Sequence, residues 1–368
     1  MDVDTGQVLY TKNPDTRLYP ASTTKILTAL LAIEMGHLDD VVTVSRRAAQ
    51  IDGSRIYLEE GEKETLRDLL YALMLRSAND AAIAIAEHLA GSVDSFAQLM
   101  NQRAGELGTA NSHFTNPHGL HDENHYTTAR DLGLIAAQAL RNPTFAQIVS
   151  TQSYVIPWPV KNSTRELFNE NRLLRSYEGA TGVKTGYTPE AQQCLVASAR
   201  RDGHQLVAVI LGSDRLNLWR DPVRLLDYGF SAFTWQTLTE GGATVARAPV
   251  KYGDEVPLLL SQTLVRAYPR EEPGVITRQL ELTPLMAPVQ AGQAAGVMKI
   301  YRDNKEVAAI PLLTATSSAR KFYTYWWFWP IALYLPWRLL VAWRRYRKRQ
   351  KRLSYRYSNR LSGRYRTY

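Results

Sequence analysis

The sequence predicts an α/β (α+β) chain: a helical cluster inserted between strands of one antiparallel sheet, then a small all-β domain, then a C-terminal membrane segment. Three observations predict it. Apolar residues keep a helical period through most of the first half and change to short strand-like runs after Ser176. From about Pro249 to Thr316 the runs are short, turns are many and helix formers are few. From Phe322 to Trp343 the chain is aromatic and aliphatic, and a basic tail follows at once.

Each element has a local cause. Asp4-Thr5-Gly6 reads as a turn between Met1-Asp2-Val3 and a strand at Gln7-Val8-Leu9-Tyr10. After Pro20, apolar Ile26, Leu27, Leu30, Leu31 and Ile33 recur at helical spacing, which puts Ser22 at the start of a buried helix. Thr65 to Leu75 is a second helix, Ser77-Ala78-Asn79 fall in the break after it, and Asp80 to Leu89 form a third, Ala-rich helix. Thr181 to Thr188 is a strand. Cys194 to Ala199 and Leu206 to Leu211 are two more, joined at Asp202-Gly203, a hairpin signal. A helix over Arg220 to Tyr228 closes this first domain, at 1–240. The small β-rich domain spans 249–316, with turns at Gly253-Asp254 and Asp303-Asn304.

The segment 322–343 is expected to be the membrane anchor. At about 1.5 Å per residue its 22 residues reach roughly 33 Å, near the thickness of a bilayer core. Tyr323, Tyr325, Trp326, Trp327 and Trp329 would form an interfacial belt at one end, and Trp337 and Trp343 would mark the other. Pro330, Pro336 and Arg338 weaken it as a span, so an interfacial helix competes with a transmembrane one.

Charge supports the same partition. The net charge is +9, and residues 344–368 carry 11 Lys or Arg and no acid, so subtracting the tail leaves −2 on residues 1–343. A near-neutral body excludes a nucleic-acid-binding domain, which needs a basic stripe on the folded surface. One cysteine, Cys194, excludes an internal disulfide and a Cys-rich zinc site; in the run Cys194-Leu195-Val196-Ala197 it reads as a small buried residue.

The chemistry lies in three motifs: Ser22-Thr23-Thr24-Lys25, Ser77-Ala78-Asn79 and Lys184-Thr185-Gly186. Alone, each has an ordinary explanation: a helix cap with a surface lysine, polar residues in a loop, an edge strand. The third is not a phosphate loop, because Val183 separates Gly182 from Lys184. In this order they form the set S-x-x-K, S-x-N, K-T-G of serine acyl-transfer enzymes. Ser22 and Lys25, three apart at a helix start, share one face. A serine hydroxyl needs a neighbouring base, and lysine serves only when burial or another cation destabilises its ammonium. Lys184 supplies that cation. The helix start adds N–H donors suited to an oxyanion.

The chain resembles the low-molecular-mass penicillin-binding proteins, serine-type D-alanyl-D-alanine carboxypeptidases. The likeness includes Asp2-Val3-Asp4-Thr5-Gly6, Tyr19 to Ile26, Asn116-Pro117-His118-Gly119-Leu120, His125 to Asp131, Asn169 to Leu173 and Gly182 to Thr188. It implies a transpeptidase/β-lactamase-like fold with helices on a five-stranded antiparallel sheet. It implies that Ser22 attacks the carbonyl between two terminal D-alanines of a peptidoglycan stem peptide and that Lys25 acts as base. Ser77 and Lys184 would pass the proton on, and Asn79 would hold the substrate amide. The backbone N–H groups of Ser22 and Tyr187 would form the oxyanion hole, with Thr185 and Gly186 in the substrate-binding strand. β-Lactams would trap Ser22. No cofactor, metal or nucleic acid is implied. The catalytic domain is expected outside the cell membrane, held at the lipid bilayer through 322–343, with 344–368 as a cytoplasmic tail if the anchor spans.

Two departures stand out. Where the family often has a carboxylate-binding arginine, this chain has Leu218, flanked by Arg215 and Arg220; Arg220 is the candidate for that role. Met1 falls inside the expected first strand, so a leader and the front of that strand are expected upstream. Other readings share the motifs: a D,D-endopeptidase on cross-links, a class A-like β-lactamase, or a non-catalytic membrane-anchored wall-binding protein. The β-lactamase needs an E-x-x-L-N glutamate, and Glu166-Leu167-Phe168-Asn169, 18 residues before Lys184, does not supply it.

Overall fold

A computed structural model describes residues 1–158, 161–272 and 274–362, with backbone alone over 355–362. It contains two units, Met1–Gln236 with Arg266–Pro273, and Thr237–Val265 with Gly274–Tyr368.

In the first unit most helices begin where the sequence supplies a cap. A 3-10 turn at Ala21–Thr24 leads directly into α1, Lys25–Met35, whose residues are buried from Lys25 to Ala32. Then come β1 (Val41–Thr43), α2 (Arg46–Gln50), β2 (Lys63–Thr65), α3 (Leu66–Leu75), α4 (Asn79–Ala90), α5 (Val93–Glu106), α6 (Ala129–Leu140) and α7 (Pro143–Ser150). The side chains of Ser45, Thr65, Ser92 and Thr128 each accept from the N–H three residues on, at the starts of α2, α3, α5 and α6. Asn142 caps α7, with Pro143 in its first turn. α4 ends on Gly91 in the left-handed conformation.

Next follow β3 (Ser153–Trp158), β4 (Ser163–Phe168), α8 (Leu173–Ser176), β5 (Ala180–Thr188), β6 (Gln192–Arg201), β7 (His204–Ser213) and α9 (Arg220–Ala232). The hairpin of β3 and β4 is absent from the sequence reading. Its inward positions are Ile156, Arg165 and Leu167, so a charged residue breaks the apolar alternation that marks a strand.

β5, β6 and β7 form an antiparallel sheet in that order. Asp202 and Gly203 both have positive φ, the two-residue turn expected between β6 and β7. The sheet is buried on both faces, and alternation sorts its side chains. Val183, Val196 and Val207 join the large core with α1 and its neighbours. Leu195, Ala197, Ala199, Leu206 and Ala208 pack on the other face with Leu218 and Leu226.

The sheet has three named strands, where the resemblance implied five. Met1 to Val3 extend it along β7: Val207 N–H donates to the Met1 carbonyl at 2.9 Å, and Val3 N–H donates to that of Gln205 at 2.8 Å. Gly6, at φ 71°, closes the expected turn. Gln7 to Tyr10, expected as a strand, joins no ladder. Instead the Gln7 side chain exchanges hydrogen bonds with the backbone of Ala267, at 2.7 and 2.9 Å.

In the second unit a five-stranded antiparallel sheet runs in the order Ile276–Leu282, Ala294–Arg302, Lys305–Thr314, Val256–Leu260, Thr244–Ala248. Asp303 and Asn304, both at positive φ, make its tight turn. Val256, Leu258, Leu260, Met298, Ile300, Ile310 and Leu312 are buried.

The expected transmembrane span is not found. After a 3-10 turn at Phe322–Thr324, one helix, Phe328–Ser362, runs with Pro336 inside it. No helix among the described residues is long and apolar enough to cross a membrane. Tyr325 to Trp327 lie outside it, so its apolar part, Phe328 to Trp343, has 16 residues and reaches about 24 Å, short of a bilayer core of about 30 Å. Arg338 interrupts even that part.

Candidate active site

Ser22 lies half-buried in the 3-10 turn that opens α1. The turn is pinned from within: Thr23 Oγ1 donates to the Pro20 carbonyl at 2.6 Å and Thr24 Oγ1 to the Ala21 carbonyl at 2.8 Å. One turn on, Lys25 is fully buried, at 0% exposure. Its Nζ reaches three acceptors: Ser22 Oγ at 3.0 Å, Asn79 Oδ1 at 2.8 Å and the His118 carbonyl at 2.6 Å. Burial pushes the Lys25 ammonium well below the ordinary lysine range, and the charge of Lys184 pushes the same way; Glu170 and Asp80 oppose both.

Asn79 opens α4 and is held on both sides. Its N–H donates to the Ser54 carbonyl, and its Nδ2 to that of Asp52, each at 2.7 Å. Asp80 anchors the same loop by accepting the N–H groups of Ile56 and Leu58 at 3.0 and 3.1 Å. Ser77 is buried two residues before Asn79, at φ 59°, the left-handed region that a serine enters only where surrounding structure imposes it.

β5 brings the third motif. Lys184 is 1% exposed, and its Nζ donates to the Thr185 carbonyl at 3.0 Å. Burial lowers its pKa to about 8 against the attraction of Glu170. A Cβ on Gly186 would stand 2.9 Å from Ser22 N and 3.1 Å from Thr23 N, so only glycine lets β5 lie against the opening turn of α1. Tyr187, next in the strand, is exposed.

Ser22, Lys25, Asn79, Lys184, Thr185 and Gly186 thus converge from α1, α4 and β5. Arg220 is exposed on the first turn of α9 and takes part in none of these bonds. Leu218 is buried in the apolar cluster behind β6 and β7.

Several contributors carry no role in the sequence reading. The His118 carbonyl holds Lys25, and Gly119, at φ 86°, packs where a Cβ would collide with the Ala21 carbonyl. The motif Asn116 to Leu120 was visible, but a backbone acceptor leaves no side-chain signal. His125 Nε2 meets Thr24 Oγ1 at 2.8 Å. Burial holds His118 at about 3 and His125 at about 4, so both are neutral supports. Asp80 and Glu170 were likewise unassigned. Cys194 is buried, with its thiol pushed up to about 11, as an inert small residue requires. Among the described residues no group of three or more His, Cys, Asp or Glu is placed to hold a metal.

A serine bonded to a buried, destabilised lysine, with an amide and a second lysine beside it, defines a histidine-free serine acyl-transfer enzyme on an α/β scaffold. Residues 1–215 match the D-alanyl-D-alanine carboxypeptidase family, and residues 233–320 match the penicillin-binding protein 5 C-terminal domain. The chain is 36% identical over 321 residues to D-alanyl-D-alanine carboxypeptidase DacF of Bacillus subtilis, covering 84% of this chain and 82% of that one. It is similar to the crystal structure of penicillin-binding protein 5 from Haemophilus influenzae, with 30% identity, a TM-score of 0.76, and 87% and 96% of the two chains covered. It is also similar to the DD-transpeptidase of Streptomyces K15, with 38% identity, a TM-score of 0.60, and 63% and 95% covered. The chain belongs to the D-alanyl-D-alanine carboxypeptidase family. It is a serine D,D-carboxypeptidase of the low-molecular-mass penicillin-binding type.

Proposed function

We propose that Ser22 is the nucleophile and Lys25 its base, acting on the D-alanyl-D-alanine end of peptidoglycan stem peptides. The observation that carries this is the Lys25 Nζ, fully buried and 3.0 Å from Ser22 Oγ. In its neutral form Nζ takes the hydroxyl proton as Oγ attacks the carbonyl between the two alanines. The N–H groups of Ser22 and Tyr187 receive the developing oxyanion. The C–N bond then breaks, a proton passes through Ser77 and Lys184 to the leaving amine, and D-alanine departs. Water attacks the ester and frees Ser22. Asn79 fixes Lys25 and offers its amide to the substrate backbone. Thr185 and Lys184 meet the terminal carboxylate, and Gly186 leaves room for the acyl group. A β-lactam carbonyl enters the same path and leaves a stable ester on Ser22.

A peptidoglycan substrate supports a catalytic unit outside the cell membrane. Exposed Trp326, Trp327, Trp329, Trp337 and Trp343, followed by the basic run from Arg344, support an interfacial helix on an anionic lipid surface. Labelling with a fluorescent penicillin, beside assay of D-alanine release from a pentapeptide, tests the site. A stable adduct on Ser22 with slow turnover is expected. Rapid turnover of the antibiotic means a β-lactamase, and no adduct means a non-catalytic relic.

A further inference from the structure

Glu170 stands at the cleft without a part in the reaction just described. Its position is built rather than incidental. Asn169 and Asn171 on either side are 3% and 2% exposed. Asn169 Nδ2 donates to the carbonyls of Val149 and Thr151, and Asn171 Oδ1 accepts the Leu173 N–H. Glu170 N–H itself donates to the Leu75 carbonyl at the end of α3. Backbone fixed at three successive residues presents one exposed side chain, and its Oε2 accepts from Thr185 Oγ1 at 3.4 Å. The carboxylate also acts on both buried lysines, opposing the fall of their pKa.

This is an unexpected charge for the place. Thr185 is the residue set to meet a terminal carboxylate, so an anion stands where the substrate's own anion arrives. The carboxylate-binding arginine often found in the family does not offset it, since position 218 is a buried leucine. Like charges a few ångströms apart repel, and a second anionic group on the donor adds to the repulsion, whereas a cation beside the donor's carboxylate relieves it.

We propose that Glu170 is a specificity-determining residue that makes the cleft select acyl donors bearing a cationic group beside their terminal carboxylate over donors bearing a second anion there. The inference rests on Ser22 being the acylated residue. Glu170 reads the leaving-group side through Thr185, and it acts on binding and acylation rather than on the chemistry of the ester.

The test uses the full chain and two cephalosporins matched except at the substituent next to the ring carboxylate, one quaternary ammonium and one carboxylate. The second-order acylation rate of Ser22 is measured for each by stopped-flow and intact mass. The unaltered protein is expected to prefer the cationic donor by about tenfold at low salt, with the ratio shrinking as ionic strength rises. In Glu170→Gln the ratio falls toward one, and in Glu170→Lys it inverts. A merely structural Glu170 predicts equal loss with both donors and an unchanged ratio; that result overturns the proposal, as does a ratio near one in the unaltered protein. Failure of both donors to acylate Ser22 overturns the site reading itself, and is separable because no adduct forms at all.

Discussion

At the residue scale, two buried lysines divide the labour by their surroundings. Lys25 is deprived of water and also meets the charge of Lys184, and both push its ammonium well below the ordinary lysine range, whereas burial alone lowers Lys184, to about 8, against the attraction of Glu170. The proposed reaction needs Lys25 as the free base and Lys184 as the cation. For kcat/KM, which reports the free enzyme, the expected profile rises as Lys25 deprotonates and falls as Lys184 does, near pH 8. A bound carboxylate stabilises the Lys184 cation, so the alkaline limb of kcat lies higher than that of kcat/KM. Pentapeptide hydrolysis across pH 5 to 10 checks this, and a profile still rising at pH 9.5 would contradict it. Ser22→Ala is expected to abolish both the penicillin adduct and D-alanine release, with an unchanged thermal midpoint. Lys25→Ala removes the base and is expected to slow acylation by about 10²–10⁴-fold. It also strands the Asn79 and His118 oxygens that Nζ held, so its midpoint falls as well.

At the scale of elements, the site depends on a hairpin that touches none of its reacting atoms. Arg165 of β4 is 5% exposed, lies 2.8 and 3.1 Å from the carboxylates of Glu62 and Glu64, and stacks over the Trp158 ring at 4.3 Å. Its Nε donates to the Ile56 carbonyl at 3.0 Å, while Asp80 holds the N–H of the same residue. The loop bearing the Asp52 and Ser54 carbonyls, and through them Asn79, is therefore clamped from two sides. Arg165→Met leaves two buried carboxylates without their cation and is expected to cost about 3–5 kcal/mol at neutral pH, with slower penicillin acylation. The pH dependence has a definite sign. Burial, then Glu62, raise the Glu64 pKa above its ordinary value of 4.5. The folded state therefore holds a proton that the unfolded chain has lost, and stability falls as pH rises through that window. Thermal midpoints from pH 5 to 8 should decline in the unaltered protein, more steeply in Arg165→Met and less in Glu64→Gln. A flat profile in all three would rule out the raised carboxyl. Gly186→Ala probes the other contact: its Cβ would press on Ser22 N, and acylation should fall about 10²-fold through displacement of the nucleophile.

The same elements show what a sequence reveals. α1, α3, α4, β5, β6 and β7 were legible, because each buries a regular apolar face and several begin or end on turn chemistry such as Thr65 or Asp202-Gly203. The hairpin was not, because Arg165 occupies an inward position that pattern alone reads as outward. Ser22, Lys25, Asn79 and Lys184 were legible as motifs in a fixed order. The fastening of Lys25 by a backbone carbonyl was not, nor was the approach of Glu170 to Thr185, since both depend on the meeting of segments distant in the chain. The apolar stretch from Phe322 does not form one helix: Tyr325 to Trp327 lie between a 3-10 turn and the helix that begins at Phe328.

At the scale of the whole molecule, charge and aromatic surface are concentrated at one end of the chain. Residues 1–343 carry −2 of a net +9, and the excess lies in the tail from Arg344. The helix Phe328–Ser362 exposes Trp329, Trp337 and Trp343 along its first part and bears the basic run in its second. The proposed interfacial placement sets the rings at the acyl boundary and the cations on anionic lipid, each basic residue near the surface adding about 1 kcal/mol. The full chain is therefore expected to bind vesicles containing anionic lipid, to bind neutral vesicles at least tenfold more weakly, and to be released by high salt with alkaline carbonate. A chain ending at Lys321 keeps the Ser318 pairing with Val289 and the Lys321 ion pair with Asp254, so its second unit retains those contacts. It should acylate with penicillin at the full-length rate in solution and bind neither vesicle. Retention of the full chain in carbonate-washed membranes would require residues 322–343 to span after all, and equal binding to neutral and anionic vesicles would remove the basic tail from the account.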